Sequence, residues 1–311
     1  MTAKLMQGDC LQVLRTLDDK SVNCIVTSPP YYGLRDYGVA GQIGLEPTPD
    51  EYTAKLVEVF HEARRVLRYT GTLWLNLGDS YAGSSGSKNG NLKPKDLIGI
   101  PWRVAFALQA DGFYLRSDII WAKPNPMPES VTDRPTKSHE YIFLLSKSER
   151  YYYDNEAIKE PCVWSSVERL GQNIEKQNGS SRVPGKSNGN MKAVCSGKDW
   201  NPSMAGGAVG IENRKHLPYP MANKRDVWTV TTKPYKEAHF ATFPPDLIEP
   251  CILAGCPVGG TVLDPFNGSG TTGAVSIKHH RNYIGIELNE KYIKLSERRF
   301  GKVQPTLVEV E

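Results

Sequence analysis

Two stretches of this chain combine residue types that suit group transfer to a planar ring. The first is T-S-P-P-Y-Y, Thr27 to Tyr32, directly after the apolar run V-N-C-I-V. Proline fixes φ and has no N–H to donate. Two of them in succession hold the Ser28 hydroxyl and the Pro29 carbonyl as fixed acceptors, and Tyr31 offers a flat face for stacking. The second stretch is D-P-F-N-G-S-G-T-T-G, Asp264 to Gly273, with Gly268, Gly270 and Gly273 after a strand and before a helix. Glu287 closes the next strand, near the spacing at which an acid meets a ribose in a dinucleotide enzyme. Asp264 argues against a dinucleotide, because a carboxylate at the strand end repels a pyrophosphate and suits a cationic ligand. S-adenosylmethionine carries an ammonium and a sulfonium, has no phosphate, and keeps a ribose for Glu287. A P-loop is excluded, since no Gly-Lys-Ser/Thr follows the glycines. Each stretch alone also fits a plain turn, one stiffened by prolines and one made tight by glycines.

The two motifs sharpen each other once they are placed on a sheet. An open α/β sheet binds ligands beyond the carboxyl ends of its strands, near the point where strand order reverses. Ser28 follows one apolar strand and Asp264 ends another, so they are expected to face one crevice. A nucleobase amine is a poor nucleophile because its lone pair is delocalised into the ring. Acceptors placed on its N–H groups favour a tetrahedral nitrogen that can attack a methyl group. Ser28 and the Pro29 carbonyl would serve the amine, and Tyr31 would stack on an extruded base. No general base is assigned, because the nitrogen turns acidic once methylated.

The elements that position these residues alternate between strand and helix. Strands are expected at 22–27, 72–77, 117–121 and 141–145, then at 261–264 and 282–287. Leu56, Phe60, Ala63 and Leu67 mark one face of a helix over 52–67. Further helices are expected near 100–110, over 244–254 and at the carboxyl-terminal end. Alternation at both ends implies one parallel sheet covered by helices. Between about 160 and 225 the chain is rich in Gly, Ser, Asn and Lys and loses periodicity. So long an irregular stretch inside a compact domain is expected to be functional.

Composition bounds the rest. The 311 residues are 39% hydrophobic and 23% charged, ordinary for a globular chain. A net charge of +4 tolerates a polyanionic partner without demanding one. No run is long enough to span a bilayer, and M-T-A-K-L-M-Q-G-D has no apolar signal stretch, so a cytoplasmic location is expected. The six cysteines form no C-x-x-C pair and the six histidines show no metal spacing. Reduced, buried thiols and no structural metal are expected.

With T-S-P-P-Y-Y at 27–32 and D-P-F-N-G-S-G-T-T at 264–272, the chain resembles the DNA amino-methyltransferases that act on cytosine N4 or adenine N6. Catalytic motif first and cofactor motif last matches their permuted β-type group. The resemblance covers most of the chain outside the insertion. It implies a Rossmann-like α/β methyltransferase fold with a seven-stranded, mainly parallel sheet, S-adenosyl-L-methionine as donor, and a flipped base in double-stranded DNA. It divides the chain into a catalytic half over 1–153, a target-recognition insertion over 154–228, and a cofactor-binding half over 229–311. Ser28, Pro29, Pro30 and Tyr31 become the catalytic set. Phe266 and the turn carrying Pro265, Gly268, Gly270 and Thr271 hold the methionine part of the cofactor beside Asp264, with Glu287 on the ribose and Asp9 at the adenine end. The stretch F-A-T-F-P-P-D-L-I resembles the segment that packs on the cofactor.

Ser before P-P-Y is, by resemblance, the cytosine-N4 form, and adenine N6 is the alternative. DNA contact is expected from Lys88, Lys93 and Lys95 in the loop at 80–95, and from Arg182 and Lys186 in the insertion. Residues 151–228 hold 11 Lys/Arg against 8 Asp/Glu, a mild bias that suits phosphate. A cognate restriction endonuclease enters as a candidate partner. Two other classes stay open: an inactive DNA-binding module with the same fold, and a nicotinamide oxidoreductase.

Overall fold

The computed structural model describes residues 1–36, 38–83, 92–162, 221–233 and 243–303, and the backbone of 307–310. Lys88, Arg182 and Lys186 therefore lie outside the described residues. Two compact units are present, one of residues 1–154 with 225–311 and one of residues 155–224. The second contributes β6 (Glu160–Pro161) and β7 (Met221–Ala222), which pair antiparallel.

The first unit begins with β1 (Thr2–Gln7), α1 (Cys10–Thr16) and β2 (Val22–Thr27). Next comes α2 (Pro49–Val66), whose start is written locally: Thr48 caps it by accepting from the Glu51 N–H, Pro49 opens it, and Asp50 and Glu51 fill the first turn. Its apolar stripe of Tyr52, Leu56, Val59, Phe60, Ala63 and Val66 is buried. After it come β3 (Leu67–Leu77), α3 (Ile100–Ala110), β4 (Tyr114–Ala122) and β5 (His139–Ser146). The remainder is β8 (Val227–Thr229), α4 (Pro245–Gly255), β9 (Thr261–Asp264), α5 (Thr271–Lys278), β10 (Asn282–Glu287), α6 (Glu290–Gly301) and β11 (Leu307–Val310).

The sheet order is β11-β1-β10-β9-β2-β3-β5-β4-β8. β5 runs antiparallel to both neighbours, and every other pairing is parallel. The expected seven strands form the middle, with β8 and β11 added at the edges. Sequence reading placed residues 225–228 in the insertion, whereas they belong to the sheet unit. Trp228 explains the difference: it is 6% exposed, its ring lies 6.5 Å from that of Trp74, and its strand pairs with β4.

Strand order reverses between β2 and β9. From β2 the chain passes through α2 to β3 on one side, and from β9 through α5 to β10 on the other. Thr27 and Asp264, the last residues of those two strands, therefore stand side by side at the crevice. The five described cysteines are buried, and no disulfide joins them. Among the described residues no helix is long and apolar enough to cross a membrane.

Candidate active site

A cleft of about 820 Å³ opens at this reversal point and takes its walls from both motifs. Ser28, Pro29, Pro30 and Tyr31 line it from the β2 side, and Pro265, Phe266, Gly268, Thr271, Glu287 and Asp9 from the other. Its volume suits a nucleoside-sized ligand together with a base.

The glycine-turn side is built by hydrogen bonds to carboxylates. Glu287 accepts from the Gly268 N–H at 2.7 Å and the Asn289 N–H at 2.9 Å, so the turn and the start of α6 share one acid. Burial is the largest influence on this carboxyl and raises its pKa. β1 pairs parallel with β10, with Gln7 opposite Glu287, and the Gly8 N–H donates to the Glu287 carbonyl. That register brings Asp9, the N-cap of α1, to the same wall. The first and last parts of the chain thus meet at one acid-lined edge.

Asp264 occupies a different place from the other predicted residues. It is 1% exposed and does not line the cleft. Its carboxylate accepts from Thr27 Oγ1 at 2.6 Å, Thr272 Oγ1 at 2.7 Å and the Phe266 N–H at 3.0 Å. Burial nevertheless pushes its pKa up to about 6, against those three donors. The acid that the sequence suggested would face a cationic ligand instead ties the two motifs together from behind.

The three glycines divide in a similar way. A Cβ on Gly273 would sit 2.2 Å from Phe300 Cζ, and one on Gly270 would sit 2.7 Å from Ser296 Oγ. Both are small because α6 packs on the turn. Gly268 has φ +51°, and a Cβ there would meet only the Phe266 carbonyl oxygen, at 3.8 Å. Of the three, only Gly268 lines the cleft.

On the β2 side the ring of Tyr31 is fixed by its neighbours. Its hydroxyl donates to Glu140 Oε2 at 2.7 Å, lies 3.1 Å from Asn76 Oδ1, and receives the Ser28 hydroxyl at 3.4 Å. A Cβ on Gly78 would sit 2.5 Å from Tyr31 Cε2, so the ring rests on bare backbone there. Tyr52 Oη donates to the Pro30 carbonyl at 2.8 Å and anchors the proline pair. Tyr32 turns inward and packs, with its ring 5.5 Å from that of Tyr52.

Sequence reasoning missed Asn76, Lys123 and Glu140. Glu140 opposes Trp121 on β4, and Asn76 opposes Ile142 on β5, so the three cleft residues Trp121, Glu140 and Asn76 share one sheet face. Lys123 continues that face beyond β4, pairs with Glu140, and lies 4.2 Å above the Trp121 ring. Lys137 joins the same wall, where burial lowers its pKa. An asparagine inside the apolar run L-W-L-N-L is the one signal the sequence offered. Lys95 is paired with Asp133 at 2.7 Å, and the Lys93 N–H donates to Asp96.

A family model described as DNA methylase matches residues 22–298. The Type II methyltransferase M.Cfr9I of Citrobacter freundii is 48% identical, over 96% of this chain and 87% of its own. M.SmaI of Serratia marcescens is 44% identical, over 96% of this chain and 90% of its own. Among solved structures, the cytosine-N4-specific PvuII DNA methyltransferase superposes with a TM-score of 0.62 at 18% identity, over 96% of this chain and 88% of that one. A DNA modification methylase of Thermus thermophilus, solved with S-adenosyl-L-methionine, gives 0.61 at 22% identity, over 99% of both chains. At such identities these two likenesses concern the fold.

Proposed function

The chain belongs to the N4/N6 family of DNA amino-methyltransferases, and on that premise we propose that it methylates the N4 amine of cytosine in double-stranded DNA, using S-adenosyl-L-methionine. The observation that carries the reading is the shared cleft, where Ser28 and Tyr31 face the wall made by Gly268 and Glu287. The residues present fit the cofactor: Glu287 and Asp9 offer acceptors to its hydroxyls and amine, and Gly268 leaves its Cβ position clear. Pro265, Phe266 and Thr271 line the same wall, while Asp264 and Gly270 shape it from behind.

Ser28 accepts from the target amine together with the Pro29 carbonyl, since the Pro30 carbonyl is already held by Tyr52. Tyr31 holds the flipped base against the cleft wall. The serine at the head of the motif favours cytosine N4 over adenine N6 through the family resemblance. Lys93 and Lys95 are the proposed DNA contacts among the described residues of the 80–95 loop. The likeness to Type II methyltransferases supports a cognate restriction endonuclease as the proposed partner.

The test is to incubate unmethylated plasmid with the purified protein and cofactor, then resolve the nucleosides chromatographically against N4-methylcytosine and N6-methyladenine standards. N4-methylcytosine alone is expected. N6-methyladenine alone would overturn the base assignment and leave amine methylation standing.

A further inference from the structure

Building on amine methylation at this cleft, we propose that Glu140 is the final acceptor of the proton released by the methylated amine, reached through Ser28 and Tyr31. The three side chains form a directed chain of hydrogen bonds. Ser28 Oγ donates to the Tyr31 oxygen at 3.4 Å, and Tyr31 Oη donates to Glu140 Oε2 at 2.7 Å. The first link is long, as such contacts often are before substrate binds. Tyr31 carries a single hydroxyl proton, and the charged carboxylate at 2.7 Å attracts it more than Asn76 Oδ1 at 3.1 Å. Asn76 instead steadies the arrangement by donating to the Tyr141 carbonyl and to Glu140 Oε2.

Two features suit this chain to carrying a proton rather than merely bracing a ring. Burial, and then the charge of Glu140, hold the Tyr31 pKa well above that of an ordinary tyrosine. Tyr31 therefore stays a neutral hydroxyl that passes a proton on without resting as an anion. At the far end, the Glu140 side chain is 14% exposed and its other oxygen is paired with Lys123. Lys137 lines the same wall, so two cations stand near the carboxylate that ends the chain. A base stacked in the cleft shuts out the water that would otherwise take the proton.

When bound, S-adenosyl-L-methionine supplies an electrophilic methyl, which the amine lone pair takes while sulfur keeps the electron pair of the broken bond. The nitrogen is then cationic and must give up one N–H proton. That N–H electron pair returns to nitrogen as the proton passes to Ser28 Oγ. The proton of Ser28 moves to the Tyr31 oxygen, and that of Tyr31 moves to Glu140 Oε2. The cationic nitrogen becomes a neutral methylamino group, the carboxylate becomes a carboxylic acid, and both hydroxyls end as they began. Glu140 returns its proton to solvent when the base leaves. Glu140 acts on the amine through Tyr31 and Ser28, so it is a positioning residue.

The test compares wild type with Glu140→Gln, Tyr31→Phe and the double variant in single-turnover methyl transfer, with cofactor affinity by calorimetry and DNA affinity by anisotropy. Glu140→Gln is expected to slow transfer roughly 100-fold, the low end for proton-transfer catalysis because the departing proton is acidic. Cofactor and DNA affinities stay within about twofold, and the double variant is no slower than the slower single, as for one relay. Formate restores part of the rate of Glu140→Ala. During turnover, an infrared band of a protonated carboxyl appears in wild type and is missing in Glu140→Gln. A wild-type rate in Glu140→Gln, multiplicative losses in the double variant, or loss of cofactor affinity in step with rate would each overturn the relay. Absence of amine methylation by the wild type would instead overturn the reading on which the relay rests.

Discussion

Thr27 Oγ1 donates to Asp264 Oδ1 at 2.6 Å, joining two residues that lie 237 positions apart in the chain. Thr27 directly precedes Ser28, and Asp264 directly precedes Pro265, so this bond fixes the distance between the two walls of the cleft. Thr272 Oγ1 completes it from the first turn of α5. A buried carboxylate thus does for the cleft what a loop contact could not: it couples two strand ends through the sheet.

That bond has a pH signature. Asp264 titrates near 6 in the folded chain, raised from an ordinary carboxylate by burial. A carboxyl with a raised folded pKa binds its proton more tightly folded than unfolded. Its stabilising contribution is complete below about pH 4 and is lost as pH rises through about 6. Asp264→Asn has no such proton. The stability of wild type relative to this variant should therefore fall by a few kcal/mol between pH 4 and 7. Urea melts of both proteins across that range check it, and a difference that stays flat with pH would sink the assignment.

The glycines of the turn should separate by cause. Gly273→Ala drives a methyl into Phe300 and should cost about 2–3 kcal/mol, as overpacking does. Phe300→Leu should recover part of that loss, giving a double variant more stable than additivity predicts. Gly268→Ala meets no side chain within 4 Å and pays only for its left-handed backbone, about 1–2 kcal/mol. Its effect should appear in cofactor affinity, about tenfold weaker, with folding retained. Thermal melts beside calorimetric titrations distinguish the two patterns.

Gly78 should behave as part of the catalytic wall although no motif includes it. A methyl there would sit 2.5 Å from Tyr31 Cε2, so Gly78→Ala must push the ring off Asn76 and Glu140. Methyl transfer should drop about 100-fold or more, since misplacement of about 1 Å carries such a cost. Cofactor affinity should hold, because Gly268 and Glu287 lie on the opposite wall. Equal losses in both measurements would mean that the variant had disturbed the whole cleft.

Much of this site was legible in the sequence because parallel strands present their last residues to the ligand. Ser28 after β2 and Glu287 at the end of β10 follow that rule, and so does the glycine turn after β9. Glu140 breaks it. β5 is antiparallel, so its first residues, not its last, reach the cleft, and local sequence does not reveal strand direction. Asp264 was found by its position, but its role was not, because only packing shows that Thr27 and Thr272 consume its oxygens. Val227–Thr229 escaped for a third reason. Three residues carry too little periodicity to mark a strand, and tertiary contact with Trp74 decides the matter.

The division of labour between the walls can be tested directly with Ser28 and Glu287. Ser28→Ala removes a hydroxyl whose proposed task arises only when the amine becomes tetrahedral, so it should lower the rate and spare ground-state binding. A loss of about 100-fold or more at saturating cofactor is expected, with cofactor affinity within about twofold. Glu287→Gln should act in the opposite sense. The carboxylate receives two backbone N–H groups, from Gly268 and Asn289, one on each oxygen. An amide can accept at only one of those positions and presents an NH2 to the other, which leaves a donor facing a donor. Cofactor affinity should weaken roughly 10- to 100-fold, about 1.4–2.7 kcal/mol. Raising the cofactor concentration should then restore most of the rate in Glu287→Gln and none in Ser28→Ala. If saturating cofactor rescued Ser28→Ala, the serine would belong to cofactor binding, and the two walls would share one role.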